Sequence, residues 1–352
     1  MQAGFLQKRD GRIILVKRQL RKGRCFMANK RAKLSDIARE AGVSLTAASF
    51  YINGKAKQYK LSPATCERLE AAVRKYDYVP NLFARAMQQN RTFLIGLLVR
   101  DRINSSFWSD IIAGIENGIA ASGCHLVLAG SHVDAAGELD AIRQMRAKGV
   151  DGYVVSPVIG GDGGFPNLSE LQELAAFRPV VGLNAELPGI PSVYNDDVIG
   201  GRLVAECFRR HGHRRVALLG SGGYFALPRF RAFEAFFAER GIAPLRLSTP
   251  AEALERCSEF SAVFCGNDYL AAALCSNAAS AGIRIPERFS VIGYDGLDWL
   301  KLLSPRPGTV VQHKGELGEA IAAQLLRAFD CGSCESVRFV PQLEIGDTVG
   351  PA

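Results

Sequence analysis

From Phe93 onward, short apolar runs alternate with longer amphipathic stretches. The short runs predict buried strands, and the stretches between them, with apolar residues at helical spacing, predict helices. This alternation favours parallel sheets with helices on both faces. We predict strands at 94–99, 126–129, 152–155, 180–183, 216–219, 245–247, 262–265 and 290–293, and helices at 107–122, 136–147, 169–176, 197–210, 229–240 and 268–281.

The N-terminal segment 33–53 shows a helical period on a shorter scale. Gly42 can end a first helix because glycine adopts positive φ without steric cost, and Ser44 can cap a second. A third helix is expected after Ser62, with Pro63 in its first turn. Three short helices with a tight glycine turn predict a helix-turn-helix. The expected inner faces consist of Leu34, Ile37, Ala38 and Ala41 in the first helix, and of Leu69, Ala72 and Val73 in the third.

The second helix has one face that is expected to meet DNA. We expect Ala48 and Ile52 to point back to the first helix and the other face to carry small side chains, as close approach to base edges requires. A purely structural helical hairpin is the alternative interpretation. The candidate DNA-contacting residues of this helix and the following loop are Ser44, Leu45, Thr46, Ser49, Phe50, Lys55 and Lys57.

Charge is distributed unevenly along the chain. Residues 1–92 hold 20 lysines and arginines against 6 acidic residues, whereas the remainder has an acidic surplus of 6. A basic head on an acidic body predicts a module that binds a polyanion, and nucleic acid is favoured over a membrane surface. No uncharged apolar run is long enough for a membrane span, so none is expected.

The basic extension 1–32 and the cysteines add two expectations. The extension is either a disordered arm that contacts DNA or an untranslated segment, with translation starting at Met27.

Nine cysteines, an odd number mostly within apolar stretches, suit reduced thiols in a cytosolic protein. The pair Cys331 and Cys334 is interpreted as an incidental surface loop, with a redox or zinc pair as the alternative.

Polar and aromatic side chains follow several predicted strand ends, where ligands of open parallel sheets bind. Charged groups that make paired hydrogen bonds, together with aromatic rings that stack on C–H faces, suit a polyhydroxyl ligand. We find no nucleophile elbow and no phosphate-binding glycine loop, and the five histidines are scattered, so no enzyme, metal or cofactor is expected. The candidate ligand-binding residues are Asp101, Ser106, Phe107, Trp108, Asn184, Arg231, Asn267, Asp295 and Lys314.

Three segments occur in a fixed order: DIAREAGVS at 36–44, YDYVPNLFARAM at 76–87 and TFLIGLLV at 92–99. Together they resemble the LacI/GalR family of bacterial transcription regulators, over about residues 33–345. The loop 53–59 is similar to that of the fructose- and sucrose-repressor branch. The resemblance implies a cytoplasmic homodimeric repressor of carbohydrate-utilisation genes, which binds operator DNA and a sugar or sugar-phosphate effector.

The resemblance also implies the domain organisation. An all-α headpiece would comprise a helix-turn-helix at 33–80 and a hinge helix at 81–92. A two-lobed α/β effector and dimerisation domain with parallel sheets, like a periplasmic binding protein, would follow at 93–352. The lobes would span about 93–195 with 314–341, and about 196–313 with 342–352.

Individual residue roles follow from the same resemblance. Asn81, Ala84 and Met87 would contact DNA from the hinge helix, with Met87 wedged into a minor-groove step. Phe107, Asn184, Arg231, Asn267 and Asp295 fall on effector-pocket positions. Four residues depart from the family: Phe50 replaces a base-reading Arg, Lys33 a capping Ser or Thr, Asn184 a common Asp, and Lys314 an aromatic residue. The last two raise the expectation of a phosphorylated or acidic sugar.

Overall fold

The computed structural model describes residues 4–9, 12–17, 32–79, 91–100, 105–131 and 134–352. The chain divides into two compact units, Met1–Asn90 and Arg91–Ala352. The predicted hinge helix lies outside the described residues, as do the candidate site residues Asn81, Ala84, Met87 and Asp101.

The first unit contains a hairpin where a disordered extension was one expectation. Strands β1 (Gly4–Arg9) and β2 (Arg12–Lys17) pair antiparallel, with Phe5 opposite Val16. The overlooked sequence signal is the Asp10-Gly11 pair between two apolar runs, a dipeptide typical of tight hairpin turns. Whether the extension as a whole is a disordered arm or an untranslated segment stays a prediction.

The predicted three-helix module is present. Gly42, at φ 62°, ends α1, and the Ser44 hydroxyl accepts the Ala47 N–H at 3.1 Å. The Ser62 hydroxyl accepts the Thr65 N–H at 3.2 Å in the same way. Ile37, Ala38, Ala41, Ala48, Leu69 and Ala72 are buried between the helices. The three helices are α1 (Leu34–Ala41), α2 (Leu45–Ile52) and α3 (Pro63–Lys75).

Two details of this module differ from the sequence prediction or extend it. Tyr51, three residues after Ala48, packs against the buried cluster, and Ile52, which the sequence predicted there, is half-buried. Lys33 has no side-chain acceptor for a cap. Its backbone N–H donates instead to the Asp36 carboxylate at 3.0 Å, which satisfies one group at the helix start.

The second unit contains two six-stranded sheets, one in each lobe. The lobe-one sheet is entirely parallel, in the order β13-β7-β6-β5-β3-β4; the lobe-two sheet is β14-β12-β11-β10-β8-β9, with β14 antiparallel. Lobe one contains β3 (Leu94–Val99), β4 (His125–Gly130), β5 (Gly152–Val155), β6 (Val180–Leu183), β7 (Ser192–Asn195) and β13 (Val337–Phe339). Lobe two contains β8 (Val216–Leu219), β9 (Leu245–Leu247), β10 (Ala262–Cys265), β11 (Ser290–Asp295), β12 (Gly308–Val311) and β14 (Gln342–Glu344).

Helices cover both sheets, as the strand–helix alternation predicts. Strands β7, β12, β13 and β14 and two of the helices, 250–255 and 314–331, were not predicted. Strands β5, β6, β8 and β10 are as short, but each is a continuous apolar run, whereas each unpredicted strand contains polar residues that interrupt the run. The helices are α4 (Ser106–Ile119), α5 (Ala135–Ala147), α6 (Leu168–Ala175), α7 (Asp197–Arg210), α8 (Pro228–Ala238), α9 (Pro250–Glu255), α10 (Asp268–Ser280) and α11 (Lys314–Cys331).

The chain passes between the lobes three times, after β7, β12 and β13, and the three crossings are hydrogen-bonded to one another. The His313 N–H donates to the Asn195 side-chain oxygen at 3.0 Å, and the Asp196 N–H donates to the Phe339 carbonyl at 2.9 Å. The His313 ring nitrogen Nε2 lies 3.1 Å from the Val340 carbonyl oxygen. These bonds place the hinge between the lobes beside the carboxyl ends of the central strands.

Helices α4 and α11 pack backbone against backbone at two glycines. A Cβ on Gly318 would lie 2.3 Å from the Ile111 carbonyl oxygen, and one on Gly114 would lie 2.4 Å from the Gly315 carbonyl oxygen. No side chain fits at either position unless the helices move apart. Because α11 follows the second lobe crossing, this contact fixes where the returning chain lies on lobe one.

We predict that Gly318→Ala destabilises the protein by about 1–3 kcal/mol, the usual cost of overpacking a close contact. Gly315→Ala is the matched control, because it lies in the same helix with nothing within 4 Å of its added Cβ. The control should be neutral or slightly stabilising, since alanine favours helix over glycine by up to about 1 kcal/mol. Thermal unfolding of the two variants gives the comparison, and equal melting temperatures would contradict the packing argument.

Candidate ligand cleft and DNA-reading surface

A cavity of about 650 Å³ lies between the two lobes at the carboxyl ends of their strands. Five of the predicted site residues line it. Phe107 and Trp108 come from the start of α4, and Asn184 follows β6, all in lobe one; the lobe-two residues are Asn267 before α10 and Asp295 at the end of β11. The strand–helix junctions of both lobes therefore bring distant sequence segments to one cleft.

Arg229, rather than the predicted Arg231, lines this cavity from lobe two, and Arg100 lines it from lobe one. Arg229 is 4% exposed, and its Nε donates to the Asp197 carboxylate at 2.8 Å while Nη1 donates to the Gly266 carbonyl at 3.2 Å. Its guanidinium carbon lies 3.7 Å from the centre of the Tyr294 ring, and the Tyr294 hydroxyl donates to the same Asp197 at 2.9 Å. The arginine is thus paired, hydrogen-bonded and stacked.

Two adjacent glycines in α7 let this cluster form. A Cβ on Gly201 would lie 2.0 Å from the Arg229 carbonyl oxygen, and one on Gly200 would lie 2.2 Å from the Tyr294 hydroxyl. Helix α7 therefore approaches the start of α8 and the end of β11 more closely than any side chain would allow. The Asp197 carboxylate, in the first turn of α7, reaches the arginine as a result.

Arg231 occupies a different surface. Two residues in an α-helix are separated by about 200°, so Arg229 and Arg231 cannot face the same cavity. Arg231 is exposed and its guanidinium donates to the carbonyl oxygen of Asp162, in the loop after β5 of lobe one. It bridges the lobes and is not among the residues that line the cavity, so its contact with an effector stays a prediction.

Lys314 and Ser106 also lie apart from the cavity lining. Lys314 is buried, and its ammonium donates to the Asp295 and Gly296 carbonyl oxygens at 2.9 and 2.8 Å, so it holds a strand end. The Ser106 hydroxyl lies 2.9 Å from the Tyr269 hydroxyl of lobe two, and its N–H donates to the same atom at 3.2 Å. The Lys314 ammonium is therefore held by backbone carbonyl oxygens beside Asp295 and is not among the residues that line the cavity.

Asn267 lines the cavity, but both polar atoms of its side chain form hydrogen bonds within the protein. Its Oδ1 accepts the Leu270 N–H at 2.9 Å and caps α10, and its Nδ2 donates to the Tyr224 hydroxyl at 2.6 Å. Tyr224 and Tyr269 are cavity-lining residues that the sequence reasoning missed. Both lie near predicted strand ends, but a tyrosine gives no periodic signal that separates a cleft position from ordinary packing.

Asp295 and Asp268 form an acidic pair in the lobe-two wall. Burial raises the pKa of Asp295 to about 7, although Arg229 opposes the rise, and its carboxylate accepts the Gln312 Nε2–H at 2.8 Å. Burial raises the pKa of Asp268 to about 8, and the negative charge of Asp295 adds to the effect. Near neutral pH this wall therefore takes up a proton.

The face of α2 that the sequence predicts to meet DNA is partly exposed. Leu45 is 54% exposed and Thr46 is exposed, whereas Ser49 and Phe50 are half-buried. Ser44 is occupied as the helix cap. The lysines of the following loop, Lys55, Lys57 and Lys60, are all exposed.

In the part of the chain that the structure describes, no group of three or more His, Cys, Asp or Glu side chains is arranged to hold a metal ion. No described helix combines the length and the hydropathy needed to span a bilayer. Cys331 and Cys334, the pair singled out in the sequence, are free thiols, the first exposed and the second half-buried.

Family models match both units of the chain. Residues 33–81 match the model described as "Bacterial regulatory proteins, lacI family". Residues 92–246 match "Periplasmic binding proteins and sugar binding domain of LacI family", and residues 205–349 match "Periplasmic binding protein-like domain". The matches follow one another in the order of the headpiece and the two-lobed domain.

Curated relatives align over nearly the whole chain. The HTH-type transcriptional repressor PurR of Vibrio vulnificus (strain CMCP6) is 30% identical over 348 residues, covering 90% of this chain and 98% of that protein. PurR of Photobacterium profundum is 30% identical over 306 residues, covering 82% and 89%. The sucrose operon repressor of Pediococcus pentosaceus is 27% identical over 317 residues, covering 86% and 94%.

Solved structures share the fold. The lac repressor dimer bound to operator and the anti-inducer ONPF superposes with a TM-score of 0.77 at 21% identity, covering 91% of this chain and 99% of that one. A LacI family transcriptional regulator from Enterococcus faecium with bound ribose gives a TM-score of 0.62 at 25% identity, covering 74% and 99%.

We predict that Asp295→Asn stabilises the protein relative to wild type at pH 8 but not at pH 5. Because the folded pKa of about 7 exceeds the ordinary value of 3.8, the stabilisation linked to the Asp295 proton is present below about pH 4 and lost as the pH rises through 7. The amide cannot ionise and escapes this loss, which is on the order of 2–4 kcal/mol. Asp197, Asp268, Arg229 and Lys314 are the charged groups that face this site.

The measurement is the difference in melting temperature between variant and wild type as a function of pH. Asp298→Asn is the control: this exposed carboxylate pairs with Lys301, which lowers its pKa, so the pH trend should be weak and opposite in sign. A difference for Asp295→Asn that stays constant from pH 5 to 8 would show that the group does not titrate in this range.

Proposed function

Because the chain belongs to the lacI family of bacterial regulatory proteins and is a DNA-binding transcriptional repressor, we propose that a small ligand in the cleft controls its affinity for operator DNA. The proposed ligand is a sugar or a sugar phosphate, and the regulated genes serve carbohydrate utilisation. The observation that carries the proposal is the 650 Å³ cavity between the lobes, joined in one chain to an exposed helix-turn-helix.

The chemistry of the cavity supports a polyhydroxyl ligand. Phe107, Trp108, Tyr224 and Tyr269 supply aromatic surface, and the Asn184 amide and the Asp295 carboxyl supply hydrogen-bonding groups. The ribose bound to the Enterococcus faecium regulator, and the name of the Pediococcus repressor, point to the same ligand class. Aromatic walls also suit a flat heterocycle, so nucleobases belong in the test.

Ligand control requires the two lobes to change their arrangement. A ligand shifts this equilibrium only by the difference in its affinity for the two arrangements, and couplings of about 1–3 kcal/mol change DNA affinity 5- to 150-fold. Tyr269 and Arg231 each bond to the opposite lobe, to Ser106 and to the Asp162 carbonyl. These bonds are the elements that a change of lobe arrangement would break.

The protein is proposed to act in the cytoplasm as a homodimer, because each half-site of a two-fold symmetric operator binds one helix-turn-helix. The cleft has a binding role and not a catalytic one in this proposal. A gel-shift assay with genomic fragments tests the first part. Fluorescence anisotropy of a retained fragment, titrated with neutral sugars, sugar phosphates and nucleobases, tests the second part. Retention of no fragment, or no response to any compound, would contradict the respective part.

We predict that Asn184→Gly raises the effector concentration needed for half-response about threefold to tenfold, the loss of one hydrogen bond. Glycine is chosen because it adopts the φ of 53° at this position without strain. Operator affinity without effector should stay at the wild-type value, because Asn184 lies in the cavity wall of the second unit. Phe177→Ala, at a lobe-one position that is 84% exposed, is the control. Anisotropy titrations with the effector found above provide the measurement, and an unchanged half-response would place Asn184 outside the contact.

We predict that Lys57→Ala lowers DNA affinity for operator and random DNA alike and flattens its salt dependence. One phosphate contact contributes about 0.9 to the slope of log affinity against log salt concentration. Lys148→Ala is the control, because this exposed lysine belongs to the second unit. A changed base preference with an unchanged slope would mean that Lys57 reads bases and not phosphates.

A further inference from the structure

The Phe50 ring of α2 lies flat on the Tyr59 ring of the loop that follows the helix. Their ring centroids are 3.5 Å apart and the ring planes differ by 3°. Tyr59 is 46% exposed and Phe50 is half-buried, so the pair lies at the surface and not in the core. Neither ring belongs to the buried cluster of this module.

Hydrogen bonds within the loop hold the two rings in register. The Lys55 N–H donates to the Phe50 carbonyl at 2.8 Å, and the Tyr59 N–H donates to the Lys55 carbonyl at 3.1 Å. The Leu61 N–H donates to the Ala56 carbonyl at 3.0 Å, and the Leu61 side chain packs against the helical core. The loop is therefore a hydrogen-bonded series of turns that brings Tyr59 back against α2.

The chemistry of α2 limits how it can read DNA. Its sequence, LTAASFYI, has no Arg, Lys, Asn, Gln, Asp or Glu. The paired hydrogen bonds by which Arg or Lys reads guanine and Asn or Gln reads adenine are therefore unavailable to this helix. What remains is hydroxyl contact and apolar contact with the thymine C5-methyl group, the one apolar feature of the major groove.

Positive charge surrounds the stacked pair. The exposed loop lysines Lys55, Lys57 and Lys60 lie on the same short segment as Tyr59, and lysine is a phosphate-binding residue. Phosphate contacts fix the register of a protein on the duplex without carrying sequence information. The loop thus offers contacts that would hold an apolar surface against base edges.

We propose that Phe50 and Tyr59 form one reading surface that recognises thymine methyl groups in the operator, with Phe50 as the contacting residue and Tyr59 as a positioning residue. The inference rests on the proposed DNA-binding function and adds its base specificity. The stack fixes the Phe50 ring in one orientation, so no side-chain freedom is lost when it meets a methyl group.

The first experiment finds the preferred sequence and tests the methyl contact. Selection from a random duplex library with the full-length protein defines a consensus, and each thymine of that consensus is then replaced by deoxyuridine, which lacks only the methyl group. At one or more positions of each half-site, the wild-type protein should lose about fourfold in affinity, the value of one buried methyl group. Phe50→Ala should make the same replacement neutral.

The second experiment assigns the role of Tyr59. Tyr59→Phe keeps the ring and should keep both the consensus and the deoxyuridine effect. Tyr59→Leu removes the flat partner and should reduce the deoxyuridine effect to below twofold while leaving the salt slope unchanged. Tyr76→Ala, an exposed tyrosine at the end of α3 in the same unit, is the control for loss of an aromatic side chain. Thermal unfolding checks that each variant is folded.

The outcomes separate the proposal from the function on which it rests. A wild-type protein that enriches no sequence overturns the DNA-binding function and the reading surface with it. Enrichment of a consensus in which no thymine methyl matters overturns the reading surface alone. A loss in Tyr59→Phe as large as that in Tyr59→Leu would assign the contact to the phenolic hydroxyl and overturn the positioning role.

Discussion

The cleft depends above all on a buried arginine that must not lose its partner. Arg229 is held by Asp197, by the Gly266 carbonyl and by the face of Tyr294. Removing one partner from a buried ion pair costs about 3–5 kcal/mol because the remaining charge has no water to solvate it. Arg229 therefore links helices α7 and α8 with strand β11. Gly200 and Gly201 allow α7 to approach Tyr294 and Arg229 closely enough for these contacts. The wall that carries Asp295 is built on this pairing.

Most of the second unit was predictable because its strands are buried on both faces. Continuous apolar runs such as those at 152–155 and 262–265 leave no other interpretation in an alternating chain, and the structure places β5, β6, β8 and β10 at the predicted bounds. The short strands β13 and β14 were not predicted, because three partly exposed residues show no recognisable alternation of apolar and polar positions. The paired strands at 4–9 and 12–17 were not predicted, because the basic composition of this segment obscures its apolar runs.

The site was predictable by residue type and segment but not by side-chain direction. The sequence placed Phe107, Asn184 and Asp295 just after predicted strands, and the sheet topology brings these strand ends together at one cavity. The sequence could not distinguish Arg229 from Arg231, which differ only in the helix face they occupy. Nor could it show that the Lys314 ammonium donates its hydrogen bonds to two carbonyl oxygens. In the headpiece, caps and core followed from spacing, whereas the stack of Phe50 on Tyr59 joins residues nine apart across a loop.

The two tryptophans of the chain both lie where the lobes meet. Trp108 lines the cavity from lobe one, and Trp299 follows β11 of lobe two, where its indole N–H donates to the Ser106 hydroxyl at 3.3 Å across the lobes. Indole emission shifts with the polarity and hydrogen bonding of its surroundings. The protein therefore contains its own optical probe: tryptophan emission reports on the meeting of the lobes without a label and without DNA.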